Sequence, residues 1–134
     1  MALSYVTYTA NGSTDQFSVT FNYIDSSHVK VYIDNVEDTS FTWINTSLIE
    51  TSSTPTNGQV VKIDRDTPTT STLVTFQDAS TLTETDLNKS KNQNFYAVQE
   101  NVDAIEDCLK LDNTDVWDAD SKRIINVATP TSGT

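Results

Sequence analysis

The sequence predicts a mainly β chain, a small antiparallel sandwich or barrel, followed by a long helix and an extended arm. Three observations carry this. Through the first half, β-branched and aromatic residues alternate with polar ones, between turn signals about 8–12 residues apart. No helical pattern separates these runs, so the crossovers that a parallel sheet needs are absent. At Leu82 the period changes from two to alternating threes and fours. The 134 residues favour one β-rich domain. The expected divisions are residues 1–82 for the strands, 83–111 for the helix and 112–134 for the arm and linker.

Tyr5-Val6-Thr7-Tyr8-Thr9 alternates as a strand and runs into Asn11-Gly12, a strong hairpin dipeptide. Phe17, Val19 and Phe21 share one face of the next strand. Val29, Val31 and Ile33 repeat the pattern with Lys30 and Tyr32 opposite, before Asp34-Asn35 turns the chain. Phe41 and Trp43 point one way, and Leu48-Ile49 follows. The tract from Thr51 to Gly58 offers nothing to bury and reads as a loop. Val61 and Ile63, then Val74 and Phe76, complete the strands.

Thr83-Glu84-Thr85-Asp86 resembles a capping box with Asp in place of Glu. The Thr83 hydroxyl accepts from the Asp86 amide while the Asp86 carboxylate reaches back. From Leu87 no Pro or Gly interrupts the chain until Pro130, and the helix is expected to run to about Leu111. Within it Phe95, Val98, Val102, Ile105 and Leu109 form a narrow stripe of the coiled-coil kind, with Glu100, Asp103, Glu106 and Asp107 off it. The stripe is either a seam between chains or the face that packs on the chain's own sheet. Its β-branched residues fall in both sets of positions, Val102 in one and Val98 and Ile105 in the other, which leans toward more than two strands.

Composition excludes several functions. Eight Lys+Arg against 19 Asp+Glu give a net charge of −11, which repels nucleic acid and anionic membranes. No stretch has the length of a membrane span, and the N-terminus lacks the pattern of a secretory signal. Hydrophobic residues are 36%, and Thr and Ser make up about a quarter of the chain, so a modest core lies under a hydroxyl-rich surface. Cys108 is the single cysteine and reads as a small buried hydrophobe. Asp25-Ser26-Ser27-His28 gathers triad residue types but reads as a turn before a strand-starting histidine. Asp112, Asp115, Asp118 and Asp120 lack the spacing and glycine of a calcium loop. Asp34, Asp64 and Asp66 are unremarkable among so many carboxylates, and Arg65 reads as an exposed charge. No catalytic, metal or cofactor site is expected.

The order of segments resembles the N-terminal domain of T7-like short-tailed phage tail fibre proteins. The resemblance begins with Val6-Thr7-Tyr8, Gly12-Ser13, Phe17 to Phe21 and Tyr23. It is sharpest from Asp64-Arg65-Asp66-Thr67 through Leu73-Val74-Thr75-Phe76 and Asp78-Ala79-Ser80 to Leu82. It continues through Asp86-Leu87-Asn88, Gln93, Tyr96, Gln99-Glu100 and Asp103. Trp117-Asp118-Ala119 and Lys122-Arg123-Ile124-Ile125-Asn126-Val127-Ala128-Thr129-Pro130-Thr131 resemble a junction phrase of phage fibres.

This resemblance implies a homotrimeric virion protein whose N-terminal domain fastens to adaptor or nozzle proteins of the tail. Receptor recognition would lie in distal regions beyond Thr134. The resemblance transfers no contact residue from Asp25 to Thr56; because a long loop with nothing to bury is disproportionately functional, the loop residues Thr51, Ser52, Ser53, Thr54, Thr56 and Asn57 and the neighbouring turn Asp34-Asn35 are the candidate tail contacts. The rival reading is a carbohydrate-binding β-sandwich with Trp43, Trp117 and Tyr32 as stacking residues.

Overall fold

A computed structural model describes residues 2–78, 81–106, 108–111, 114 and 116–119. The chain is mainly β with antiparallel sheets, as the alternation predicts, and among the described residues it has one α-helix, toward the C-terminus. Two compact units are present, residues 1–103 and 104–134.

In the first unit one sheet has the order β1-β7-β3-β4, from β1 (Tyr5–Thr9), β7 (Val60–Arg65), β3 (Val29–Ile33) and β4 (Val36–Glu37). The other has the order β2-β6-β5, from β2 (Gln16–Ser18), β6 (Leu48–Glu50) and β5 (Thr42–Asn45). Alternation turns Val29, Val31, Val61 and Ile63 of the first sheet and Phe17 and Ile49 of the second inward. With Ala10 and Val19 they make one core. Lys30, Tyr32, Lys62 and Asp64 take the opposite face of the first sheet.

Asp34-Asn35 forms the tight β3–β4 hairpin, with φ of 49° and 66° at the two residues. Asn11-Gly12 does not form one, because β1 pairs with β7 and the chain passes to the other sheet at this point. Asn11 Oδ1 instead accepts from the amides of Ser13 and Thr14, both at 2.9 Å. Gly12 holds φ at 78°, and an added Cβ would stand 3.2 Å from the Asn57 amide nitrogen.

Val74 and Phe76 belong to no strand. The backbone there is tied to a side chain, since Gln93 accepts from the Leu73 amide and donates to the carbonyls of Pro68 and Ser71. Those groups have no ladder partner to find.

Helix α1 spans Glu84–Glu106 and so stops before Leu111. At its start Thr83 Oγ1 accepts from the Asp86 amide at 3.1 Å and donates to Asp86 Oδ2 at 2.6 Å. The carboxylate therefore meets the hydroxyl. Replacing Thr83 and Asp86 together by Ala should cost about 1–2 kcal/mol in denaturant unfolding; an unchanged midpoint would show that the cap contributes nothing.

In the second unit, Lys110–Leu111 (β8) pairs with Trp117–Asp118 (β9), so the last two residues expected in the helix form a short strand instead. Cys108 is exposed, contrary to expectation, because it lies past the last helical turn; its thiol donates to the Ala104 carbonyl. The arm and linker from residue 120 onward, and Asp112, Asp115 and Asp120, lie outside the described residues.

Candidate functional site

Inward alternation along β7 continues from Val61 and Ile63 to Arg65, so the sequence pattern itself aims this cation at the interior. The Arg65 guanidinium is buried and donates from all three nitrogens. Its Nε donates to Glu100 Oε1 at 2.8 Å, its Nη1 to the Asn22 carbonyl at 2.7 Å, and its Nη2 to Gln99 Oε1 at 2.9 Å. The Tyr96 ring covers it at 4.2 Å. Thr67 adds a 2.6 Å hydroxyl bond to the same Glu100 oxygen. The reading of Arg65 as an exposed charge is therefore corrected: its acid partner is far away in sequence, on α1.

Two further anchors flank this one. Gln93 is buried with the three backbone bonds already described. Asp103 is buried and accepts from the amides of Leu3 and Ser4, at 2.8 and 2.6 Å, and from the Ser4 hydroxyl at 2.6 Å. Burial pushes the Asp103 carboxyl up, but the Ser4 hydroxyl, the two amides and the N-terminal charge outweigh it and hold the pKa below the usual range. The charged form is thus bound more tightly in the folded state. Its stabilisation is complete above the unfolded value of about 3.9 and is lost as pH falls through the lower folded value. Asp103→Asn should flatten the acid limb of the stability curve and lower stability at neutral pH by about 1–3 kcal/mol. Superimposable acid limbs of parent and variant would refute this.

Gln93, Tyr96, Glu100 and Asp103 recur at steps of three, four and three, so they line one side of α1. The apolar stripe recurs at the same steps on nearly the opposite side. The helix therefore docks on its sandwich with polar residues and turns its apolar residues outward. Phe95, Val98, Val102 and Ile105 stay 39–61% exposed, and Leu109 beyond the helix end is exposed too. The alternative of a stripe packed on the chain's own sheet is excluded by this geometry.

The candidate contact residues fall into two groups. Asp34 Oδ1 accepts from the Val60 amide and Oδ2 from Gln59 Nε2, while Gln59 Oε1 accepts from the Thr56 amide. One side chain thus joins Asp34-Asn35 to Thr56-Asn57, with Gly12 against Asn57, on a single rim at the Val60 end of β7. Arg65 and the helix occupy the other end. Thr51 is buried, not exposed, and its amide and hydroxyl both reach the Asp15 carbonyl. Ser52 donates its amide to Asp38, a buried carboxylate. Burial raises the Asp38 pKa, but the Ser52 and Ser40 bonds bring it net below the usual range. Ser52, Ser53, Thr54, Thr56 and Asn57 present their side chains to solvent.

Asp25 caps a single 3-10 turn, Ser26–His28, and accepts from both the amide and hydroxyl of Ser27, so the serine is not presented to the histidine. Tyr32 lies on the outer face of the four-stranded sheet, whereas Trp43 packs toward the core beside Tyr23 at 5.2 Å. Trp117 belongs to the second unit. The structure does not bring Tyr32 and Trp43 into one stacking platform. Among the described residues no helix is long and apolar enough to cross a membrane.

Comparison with known proteins gives a concordant result. A family model described as phage T7 tail fibre protein, N-terminal domain, matches residues 1–119. The tail fiber proteins of Escherichia phage T7 and Enterobacteria phage T3 are each 30% identical to the chain over 132 residues. Each alignment covers 92% of this chain and 24% of the relative, so the chain spans about a quarter of the length of these curated proteins.

Proposed function

The chain belongs to the phage T7 tail fibre N-terminal domain family, and from that premise we propose that it is the tail-proximal part of a virion tail fibre. Its sandwich fastens to adaptor or nozzle proteins of the tail, and α1 associates with two further copies to start the fibre. It acts as a structural protein, not as an enzyme. The observation that carries this is the two-sided helix, whose polar side is used up within the chain while its apolar stripe remains open. The stripe of Phe95, Val98, Val102, Ile105 and Leu109 is the seam. The host receptor is then met by distal fibre regions.

The rim of Asp34, Asn35, Thr56 and Asn57, with the neighbouring Ser52, Ser53 and Thr54, is the surface offered to the tail. It supports this role by lying at the end of β7 remote from the helix, about 17 Å away at strand rise, so that tail and shaft do not compete for space. A net charge of −11 favours basic patches on the partner. The loop is anchored at Thr51 and Ser52, so the test changes exposed side chains and leaves its length alone. Ser53→Lys, Thr54→Lys and Asn57→Lys together should leave the melting temperature within about 2 °C, as surface changes do, and lower fibre occupancy on purified particles several-fold. Full occupancy, counted by electron microscopy, would move the attachment surface elsewhere.

A further inference from the structure

A cleft of about 520 Å³ lies between the N-terminal segment, the sandwich and α1, walled by Leu3, Phe21, Asn92, Phe95 and Gln99 among others. It opens beside the seam. Leu87, in the first turn of the helix, is half exposed and has no place in the stripe, because the register that holds Phe95 and Val98 passes upstream through Lys91 and Asn88. An unfilled cleft of mixed lining, in which Leu3, Phe21 and Phe95 stand beside Lys91 and polar side chains, and an unburied leucine therefore occur near the same end of the helix.

We infer that, in the trimer, each cleft is the socket for Leu87 of the neighbouring copy. The inference rests on the trimeric reading above. Closed three-fold symmetry forces the helices to run parallel. With Phe95 and Val102 at a and Val98 and Ile105 at d, Leu87, Asn94 and Asn101 occupy g, while Asn92 and Gln99 occupy e. In a parallel bundle the g residue of one helix meets the e residue of the next helix five positions on. Leu87 then meets Asn92, on the cleft wall, and Asn94 meets Gln99.

Charge distribution points the same way. From Leu87 to Val102 both flanks of the seam are free of charge, although the chain carries −11. The one acid of this stretch, Glu100, is spent on the sandwich. Amide pairs and a leucine in a socket let the flanks of an acidic protein meet without contact between acids, while Lys91, in the register of Val98, is the charge of this stretch nearest the axis.

The test uses the chain with Cys108→Ser, Leu87→Cys and Asn92→Cys. Positions 87 and 92 lie about 140° apart around one helix, so a disulfide between them within a chain is geometrically closed. Mild oxidation should give covalent dimers and trimers on a denaturing gel. Leu87→Asp is the second variant: an acid in the first turn favours the isolated helix, so helical circular dichroism should hold while trimer dissociation rises at least tenfold. Trimers in sedimentation with no cross-link and no response to Leu87→Asp would overturn the socket and leave the trimer standing. Monomers in the parent chain would overturn both.

Discussion

Arg65→Met should detach α1 from the sandwich, at a cost of about 3–5 kcal/mol in denaturant unfolding. The size follows from burial. The Arg65 side chain is 1% exposed and its partner Glu100 20% exposed, so truncation leaves a largely desolvated carboxylate with only Thr67 to bind. Arg65→Lys should recover little, because an ammonium cannot donate at once to Glu100, Gln99 and the Asn22 and Tyr96 carbonyls from one plane. Lys62→Met, three positions away, is the control. Its ion pair with Asp64 is 2.8 Å long but faces solvent on the outer side of the sheet, so its loss should cost at most about 1 kcal/mol. The double variant Arg65→Met with Glu100→Leu should be milder than Arg65→Met alone, since no charge is then stranded. Equal costs for Arg65→Met and Lys62→Met would show that the helix is held by something other than this cluster.

Where alternation or apolar spacing determines structure, the sequence was legible. Val29, Val31, Val61 and Ile63 fell on the core face, Asp34-Asn35 turned its hairpin, and Thr83 and Asp86 met at the start of α1. The differences at Arg65 and along the docking side of α1 share a physical cause: polar groups that composition leaves to solvent are buried against partners far along the chain. Arg65 continues the inward series of Val61 and Ile63, so period two alone could have flagged it as buried. Gln93, Tyr96, Glu100 and Asp103 repeat with the spacing of the apolar stripe, and a search for hydrophobic periodicity passes over such a polar stripe. Val74 and Phe76 carry the β-branched and aromatic signal of a strand, but Gln93 ties down the backbone of the segment at Pro68, Ser71 and Leu73. Asn11-Gly12 does not make the hairpin its dipeptide signals, because the partner of the strand before it, Val60–Arg65, lies far along the chain. Arg65, Thr67, Gln93, Tyr96, Gln99, Glu100 and Asp103, quoted in the sequence as marks of the fibre family, are the contacts that dock the helix or the residues beside them. Their physical work was not visible from order and spacing.

Val98→Glu should abolish association and leave the protomer folded. Val98 lies at the centre of the outward stripe and is 59% exposed, so the single chain loses no packing there. Glu is also the better helix former, which offsets any small local cost. In a trimer the same change brings three carboxylates together on the axis of an assembly already carrying three times −11, or −33. Desolvation and mutual repulsion then act together. The parent trimer should tighten as salt rises from low to moderate concentration, because screening relieves repulsion among exposed acids without weakening apolar contact at the seam. The stripe from Phe95 to Leu109 is only about two heptads, short for an autonomous coiled coil, so its association draws on whatever the sandwich domains add beside it. For that reason the measurement is sedimentation across a range of protein and salt concentrations, with circular dichroism confirming an intact helix. A Val98→Glu variant that still sediments as a trimer would place the seam elsewhere, and a parent that dissociates as salt is added would mean that ion pairs hold the copies together.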